Sequence, residues 1–140
     1  MANNAAKYLE QARINWIRGT VYPTVPANFY VALYTTMPTA QDGTGAVEVS
    51  GGAYARQAVA SGTSPWVATA ASGTAQQTSN VNQISFPQAT ANWGTILGIG
   101  IYDASSGGNL LWFGTLTSSQ TVNNGFTFVI AANNLVIQED

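Results

Sequence analysis

The sequence predicts a mainly β protein: an antiparallel β-sandwich, jelly-roll-like, of about eight strands, preceded by one N-terminal amphipathic helix. Three observations lead there. From residue 28 onward, apolar residues recur with period two in short runs. Turn-forming residues separate these runs at spacings of about 8–12 positions, the pattern of sandwiches. The first 18 residues instead follow a period near 3.6, and no helical crossover pattern comes after them, which argues against an α/β sheet. One domain is expected over residues 1–140, with the helix at 4–18 and the sandwich at 28–138.

The helix rests on a stripe. On a helical wheel Ala5, Tyr8, Leu9, Ala12 and Trp16 fall within about 100°, the width of a core-facing face, while Lys7, Gln11, Asn15 and Arg18 gather opposite. Asn3 or Asn4 is the expected N-terminal cap, and Gly19 stands where a left-handed C-terminal cap is wanted. Trp16 and Leu9 are therefore expected to be buried. Next comes Asn28–Thr36 (NFYVALYTT), a strand with Phe29, Val31 and Leu33 on one face and Tyr30, Ala32 and Tyr34 on the other. Apolar character on both faces predicts burial from two sides.

Met37-Pro38 ends that strand, because proline cannot donate to a ladder. Short strands are expected near 47–49 and 54–60. Residues 61–80, rich in Ser, Thr, Gly, Ala and Gln around Pro65-Trp66, predict an irregular loop or a weak edge strand. Strong strand signals return at 82–86, 95–102, 110–117, 126–131 and 135–138. Between them lie Pro87, Asn92-Trp93-Gly94, Ser106-Gly107-Gly108-Asn109 and Asn123-Asn124-Gly125, the last containing Asn-Gly, a favoured hairpin turn. Within 95–102, alternation puts Leu97, Ile99 and Ile101 on one face, and Gly98 and Gly100 with Ile96 and Tyr102 on the other. Two glycines on one face leave a shallow strip for close approach. Trp112 or Phe113 is the expected filler.

Charge is the most unusual property of the chain. Only 7 % of residues are Asp, Glu, Lys or Arg, against about a quarter in ordinary soluble domains. From Gln57 to Gln138, 82 residues carry one charged side chain, Asp103. A surface of Ser, Thr, Asn, Gln and Gly costs little to desolvate when another protein covers it. With 46 % apolar residues, the chain is expected to fold rather than stay disordered. Four basic residues, with none clustered beyond Lys7, Arg13 and Arg18, are too few for the phosphate neutralisation that nucleic-acid binding requires. No apolar window approaches a membrane span or the core of a signal peptide, so neither a membrane partner nor export is expected.

The same composition argues against an enzyme. The chain has no histidine and no cysteine, so a hydrolytic triad lacks its usual base and a metal site lacks its commonest ligands. Asp42 and Glu48 share a Gly-rich loop, close enough in sequence for a carboxylate pair; loop acids in an Asp-Gly context more commonly form turns. The stretch Asp42-Gly43-Thr44-Gly45 lacks the alternating acids of a calcium loop. No Gly-Lys-Ser/Thr follows the nearby glycines, so no phosphate loop is present. No cofactor and no metal are expected. Arg56 and Asp103, lone charges in neutral surroundings, are expected in a satisfied pair or a turn contact, with a specificity contact at a subunit interface as the alternative.

Read together, the segments Tyr8-Leu9, 29–36 (FYVALYTT), 48–57 (EVSGGAYARQ), 86–94 (FPQATANWG), 100–104 (GIYDA), 107–111 (GGNLL) and 121–128 (TVNNGFTF) resemble a family of small tailed-phage virion proteins. The resemblance keeps segment order over nearly the whole chain. Members are commonly described as head-decoration or tail-fibre proteins. The resemblance implies a virion protein made in the host cytoplasm. As a capsid cement it would be a homotrimer seated on the major capsid protein; the alternative is a tail or fibre-attachment subunit among other tail proteins. Fibres need repeats, a coiled coil or a shaft, and 140 residues without any of these favour the cement reading. Tyr8, Trp16, Arg56 and the loop tryptophans Trp66 and Trp93 are the candidate contacts to subunits or partners.

Overall fold

A computed structural model describes residues 4–139 as a mainly antiparallel β structure of sandwich-like arrangement. The chain runs β1 (Asn4–Ala5), α1 (Lys7–Ile17), β2 (Asn28–Thr36), β3 (Val47–Glu48), β4 (Gln57–Ala60), β5 (Ala70–Ser72), β6 (Ala75–Ser79), β7 (Ile84–Ser85), β8 (Gly94–Tyr102), β9 (Leu110–Val122), β10 (Val129–Ile130) and β11 (Val136–Glu139). The principal sheet has the order β1-β9-β8-β2-β3, and β4 shares the outer edge of β2 with β3. A three-stranded sheet, β11-β6-β5, and the pair β10-β7 complete the strands among the described residues.

β2 lies where its alternation places it. Val31, Ala32, Leu33 and Tyr34 are all fully buried. Val31 and Leu33 join the larger core with Ile96, Ile99, Ile101, Phe86, Phe128 and Trp93, and Phe29 packs against it. Tyr34, on the other face, joins a smaller core with Ala6, Leu110 and Phe113. A strand paired on both edges and covered on both faces reads as a continuous apolar run.

Several expectations need correction. The helix begins at Lys7 rather than residue 4, because Asn4–Ala5 is captured as a strand by β9 through Asn4↔Phe113 and Ala5↔Trp112. Its N-cap is Ala6, without a side-chain cap; Asn3 lies outside the described residues. The C-terminal end is as predicted: Gly19 has φ +80°, with bonds from Gly19 N–H to Trp16 O and from Thr20 N–H to Asn15 O. Residues 61–80, expected as loop or weak edge, contain the β5–β6 hairpin, and β6 is the central strand of its sheet. Its small polar residues carry no periodic apolar signal, so the pairing with β11 decides.

In β8 the ladder to β9 shifts register, with Ile96 opposite Gln120 and Gly98 opposite Thr115. The bulge turns Ile96 into the core beside Ile99 and Ile101 and leaves Leu97 exposed. The glycine strip is filled by neither Trp112 nor Phe113. A Cβ on Gly100 would overlap the Tyr34 hydroxyl, and one on Gly98 would overlap the Met37 sulfur and the Gly114 carbonyl. Asn124-Gly125 does turn the chain, with Gly125 at φ +89° and Phe126 N–H bonded to Asn123 O. It joins no hairpin, because β10 pairs with β7.

Candidate functional site

The lone cation Arg56 is the centre of a network rather than a free contact. Its guanidinium grips Glu48 in two bonds, Nε to Oε1 at 2.8 Å and Nη2 to Oε2 at 2.7 Å. Nη1 donates to the carbonyls of Ala104 (3.0 Å) and Gly107 (2.8 Å), holding the 103–109 turn. Its carbon lies 3.6 Å from the centre of the Tyr102 ring. Tyr54 donates to Glu48 Oε1 and accepts from the Leu33 N–H, and the Tyr34 and Tyr102 hydroxyls meet at 2.6 Å. The Arg56 side chain is 8 % exposed. Asp103 closes the same turn separately by accepting from the Asn109 backbone and side-chain amides, both at 2.7 Å. A satisfied pair and a turn contact are what these two residues form.

Burial leads the shifts in this network. It pushes the Tyr34 and Tyr54 hydroxyls well above the ordinary tyrosine value near 10, with the Tyr102 hydroxyl adding for Tyr34 and the Glu48 carboxylate for Tyr54. Burial alone would lower Arg56, but the Glu48 hydrogen bonds and charge raise it. The sign for stability follows. Both tyrosines are neutral in either state below pH ~10; above it the unfolded chain loses their protons while the folded chain keeps them. Stability should thus fall above pH ~10 by about 1.4 kcal/mol per tyrosine per pH unit. Ultraviolet titration should show two of the six tyrosines ionising only as the protein unfolds. Free ionisation of all six in the folded protein would contradict the network.

Asp42 and Glu48 do not form a carboxylate pair. Asp42 accepts from Thr44 N–H at 2.9 Å; the Thr44 side chain, and after it this backbone bond, hold its carboxyl below the usual value, and Glu48 is committed to Arg56. Among the described residues no group of His, Cys, Asp or Glu suits a metal ion, and no helix is long and apolar enough to cross a membrane.

A different surface draws attention. Ala6 and Leu9 bury the first turn of α1, and Arg13 pairs with Glu139 at 3.0 Å, where Glu139 also accepts from Trp112 Nε1. Beyond Arg13 the helix is exposed except at half-buried Asn15. Ile14 is 63 %, Trp16 68 % and Ile17 82 % exposed, and the following segment adds Val21 at 90 % and Val25 at 68 %. On the wheel Ile14 and Ile17 face away from Trp16, and Asn15 and Arg18, joined by a 3.3 Å hydrogen bond, fill the sector between Ile14 and Trp16. A helix end that exposes three large apolar side chains is usually covered.

The five sequence candidates do not form one surface. Tyr8 is half-buried beside a small cavity it shares with Leu9, Phe29 and Trp112. Trp16 is exposed, which corrects its expected burial: the sheet does not reach under the last turn. Arg56 and Trp93 are linked through Glu48 and Tyr54, whose ring stands at 86° to Trp93 with centroids 5.4 Å apart. Trp93, expected on an exposed loop, is 6 % exposed, because its ring packs into the larger core and its Nε1 donates to Gly52 O. Trp66 is half-buried against Phe29, with Nε1 donating to Ala60 O at 3.0 Å. Ile14, Ile17, Val21 and Val25 were not singled out by sequence; apolar residues off the helical stripe were the available signal. Buried Asn80, bonded to Leu135 N–H, Asn82 O and Ala131 O, was equally silent.

No match was found among curated proteins. A family model described as podophage GP4 fiber I protein gp80 matches residues 4–138, nearly the whole described chain. The chain belongs to this podophage GP4 fiber I protein gp80 family, a family of tailed-phage virion proteins.

Proposed function

We propose that the protein is a non-enzymatic structural subunit of the phage fibre or its tail attachment, assembled as a homotrimer and held to neighbouring tail subunits by the exposed end of α1. The observation that carries the reading is the unpartnered apolar set Ile14, Trp16, Ile17, Val21 and Val25 on a chain whose family is described as a fibre protein. Large exposed apolar groups mark protein contacts, and the acids that might do chemistry are committed to turns and to Arg56.

Capsid decoration on the major capsid protein is the second reading. It is supported by residues 1–140, which contain no repeat or coiled coil of the kind that builds a shaft. Copy number separates the two. A cement occupies every lattice junction, whereas a fibre subunit occupies only the few symmetric positions of the tail. Quantitative mass spectrometry of purified particles should give copies matching the tail symmetry. In either setting neutral contacts should survive washing at about 1 M salt, where charge pairs are screened beyond ~3 Å. A copy number equal to that of the capsid junctions would replace the fibre reading by the cement reading, and absence from particles would remove both.

A further inference from the structure

One cleft lies away from the helix. It has a volume of about 520 Å³ and is walled by Gln57–Ala60, the whole of β4, on one side and residues 82–85 on the other. Successive side chains of a strand point to opposite faces. Four consecutive residues therefore line a cleft only where it runs along the strand's edge. Among the described residues, β4 is bonded to β2 on one edge and to no strand on the other.

The pairing identifies which groups point outward. Ser61 N–H donates to Ala27 O, which makes 27–61 a hydrogen-bonded pair in register with Asn28↔Ala60. Antiparallel ladders alternate, so 29–59 and 31–57 are bonded pairs and Ala58 and Ala60 direct their amides and carbonyls into the cleft. The Ala60 carbonyl confirms this direction by accepting from Trp66 Nε1 at 3.0 Å. Among the described residues, no hydrogen bond engages the N–H or C=O of Ala58.

Natural edges are guarded by lysine, proline, bulges or inward charges. β4 itself has the sequence Gln-Ala-Val-Ala, without lysine or proline; Ser64 and Pro65 line the cleft beside it, and no lining residue is charged. We propose that β4 is a strand-addition site that takes an extended, uncharged segment of a neighbouring virion protein, which pairs with the N–H and C=O of Ala58 and with the Ala60 N–H, the Ala60 carbonyl being held by Trp66. A segment of about four residues, ~13 Å long, matches the edge. Gln83, Asn82 and Ser85 on the far wall supply neutral amide and hydroxyl groups beside it. A second copy of this domain is the poorer occupant. Its edge strand is embedded in a sheet, which would meet the 82–85 wall, whereas a single extended segment enters.

This inference rests on the protein's being part of the particle but not on which part. The test is amide hydrogen exchange, by mass spectrometry, of the purified protein and of the protein in intact particles. The peptide covering 57–60 should exchange at least tenfold more slowly in particles than in the free protein at every concentration. Alongside, Ala58→Pro removes the outward N–H without touching a ladder bond and should melt like the wild type, yet lose at least tenfold in incorporation against co-expressed wild type; Ala58→Ser should incorporate normally. If Ala58→Pro misfolds, the exchange comparison stands alone. Equal exchange in both settings overturns the proposal while the assembly reading survives. Protection that appears in the purified protein as its concentration rises assigns the edge to a second copy and overturns the heterologous partner. Absence of the protein from particles overturns both.

Discussion

Replacing Gly100 by valine is expected to lower the melting temperature by roughly 10 °C or to prevent folding, the largest stability effect of any single change considered. Gly100 sits in the middle of β8 opposite Ala32 and Phe113. The space above it is filled by the Tyr34 ring end, which is fully buried and held by the Tyr102 hydroxyl at 2.6 Å. A side chain there must displace Tyr34, and displacement strands a buried hydroxyl. Overpacking costs about 1–3 kcal/mol and an orphaned polar group about 1–3 more. Thermal denaturation of Gly100→Ala, Tyr34→Phe and the double variant tests the mechanism as a cycle. The double variant should be less destabilised than the sum, since phenylalanine vacates part of the contested volume. Strict additivity, or a Gly100→Ala protein that melts like the wild type, would contradict the packing.

The largest functional effect is expected at the helix end. Ile14→Arg with Ile17→Arg should leave the isolated domain's melting within about 2 °C of wild type, because both side chains are already in solvent. Arginine near a helix C-terminus also suits the macrodipole. Burying two unpaired charges against an apolar partner costs several kcal/mol, so incorporation should fall by about 100-fold or more. Competition between variant and wild-type chains during particle assembly reads this ratio directly. Trp16→Ala should behave likewise, with melting unchanged and assembly impaired. A Trp16→Ala protein that melts far below wild type would show that the helix end packs on its own domain after all.

Where local pattern and burial agreed, the sequence was readable. The NFYVALYTT run has one possible phase, both of its faces are apolar, and it became the doubly covered strand β2. Gly19 ended the helix because only its left-handed φ closes the last turn. Elsewhere, tertiary partners decided. Asn4–Ala5 has no strand signal and is a strand because β9 offers an edge. The bulge between Ile96 and Gly98 depends on the length of β9 opposite it, which no period-two reading of β8 contains. Trp93 looked like a loop contact, yet Gly52, at φ +56°, brings a backbone carbonyl within reach of its indole and draws it into the core. The site followed the same division. Arg56 and Asp103 were legible as charges needing partners, whereas the exposure of Trp16 depends on how far the sheet extends beneath α1.

The central claim is that this chain is a virion subunit joined to its neighbours through the end of α1. A density map of the intact particle, resolved well enough to trace strands, tests it most directly. The account predicts the protein on the tail, with Ile14, Trp16, Ile17, Val21 and Val25 buried against an adjacent subunit. A map that places the protein in the particle with those five side chains facing solvent would contradict it.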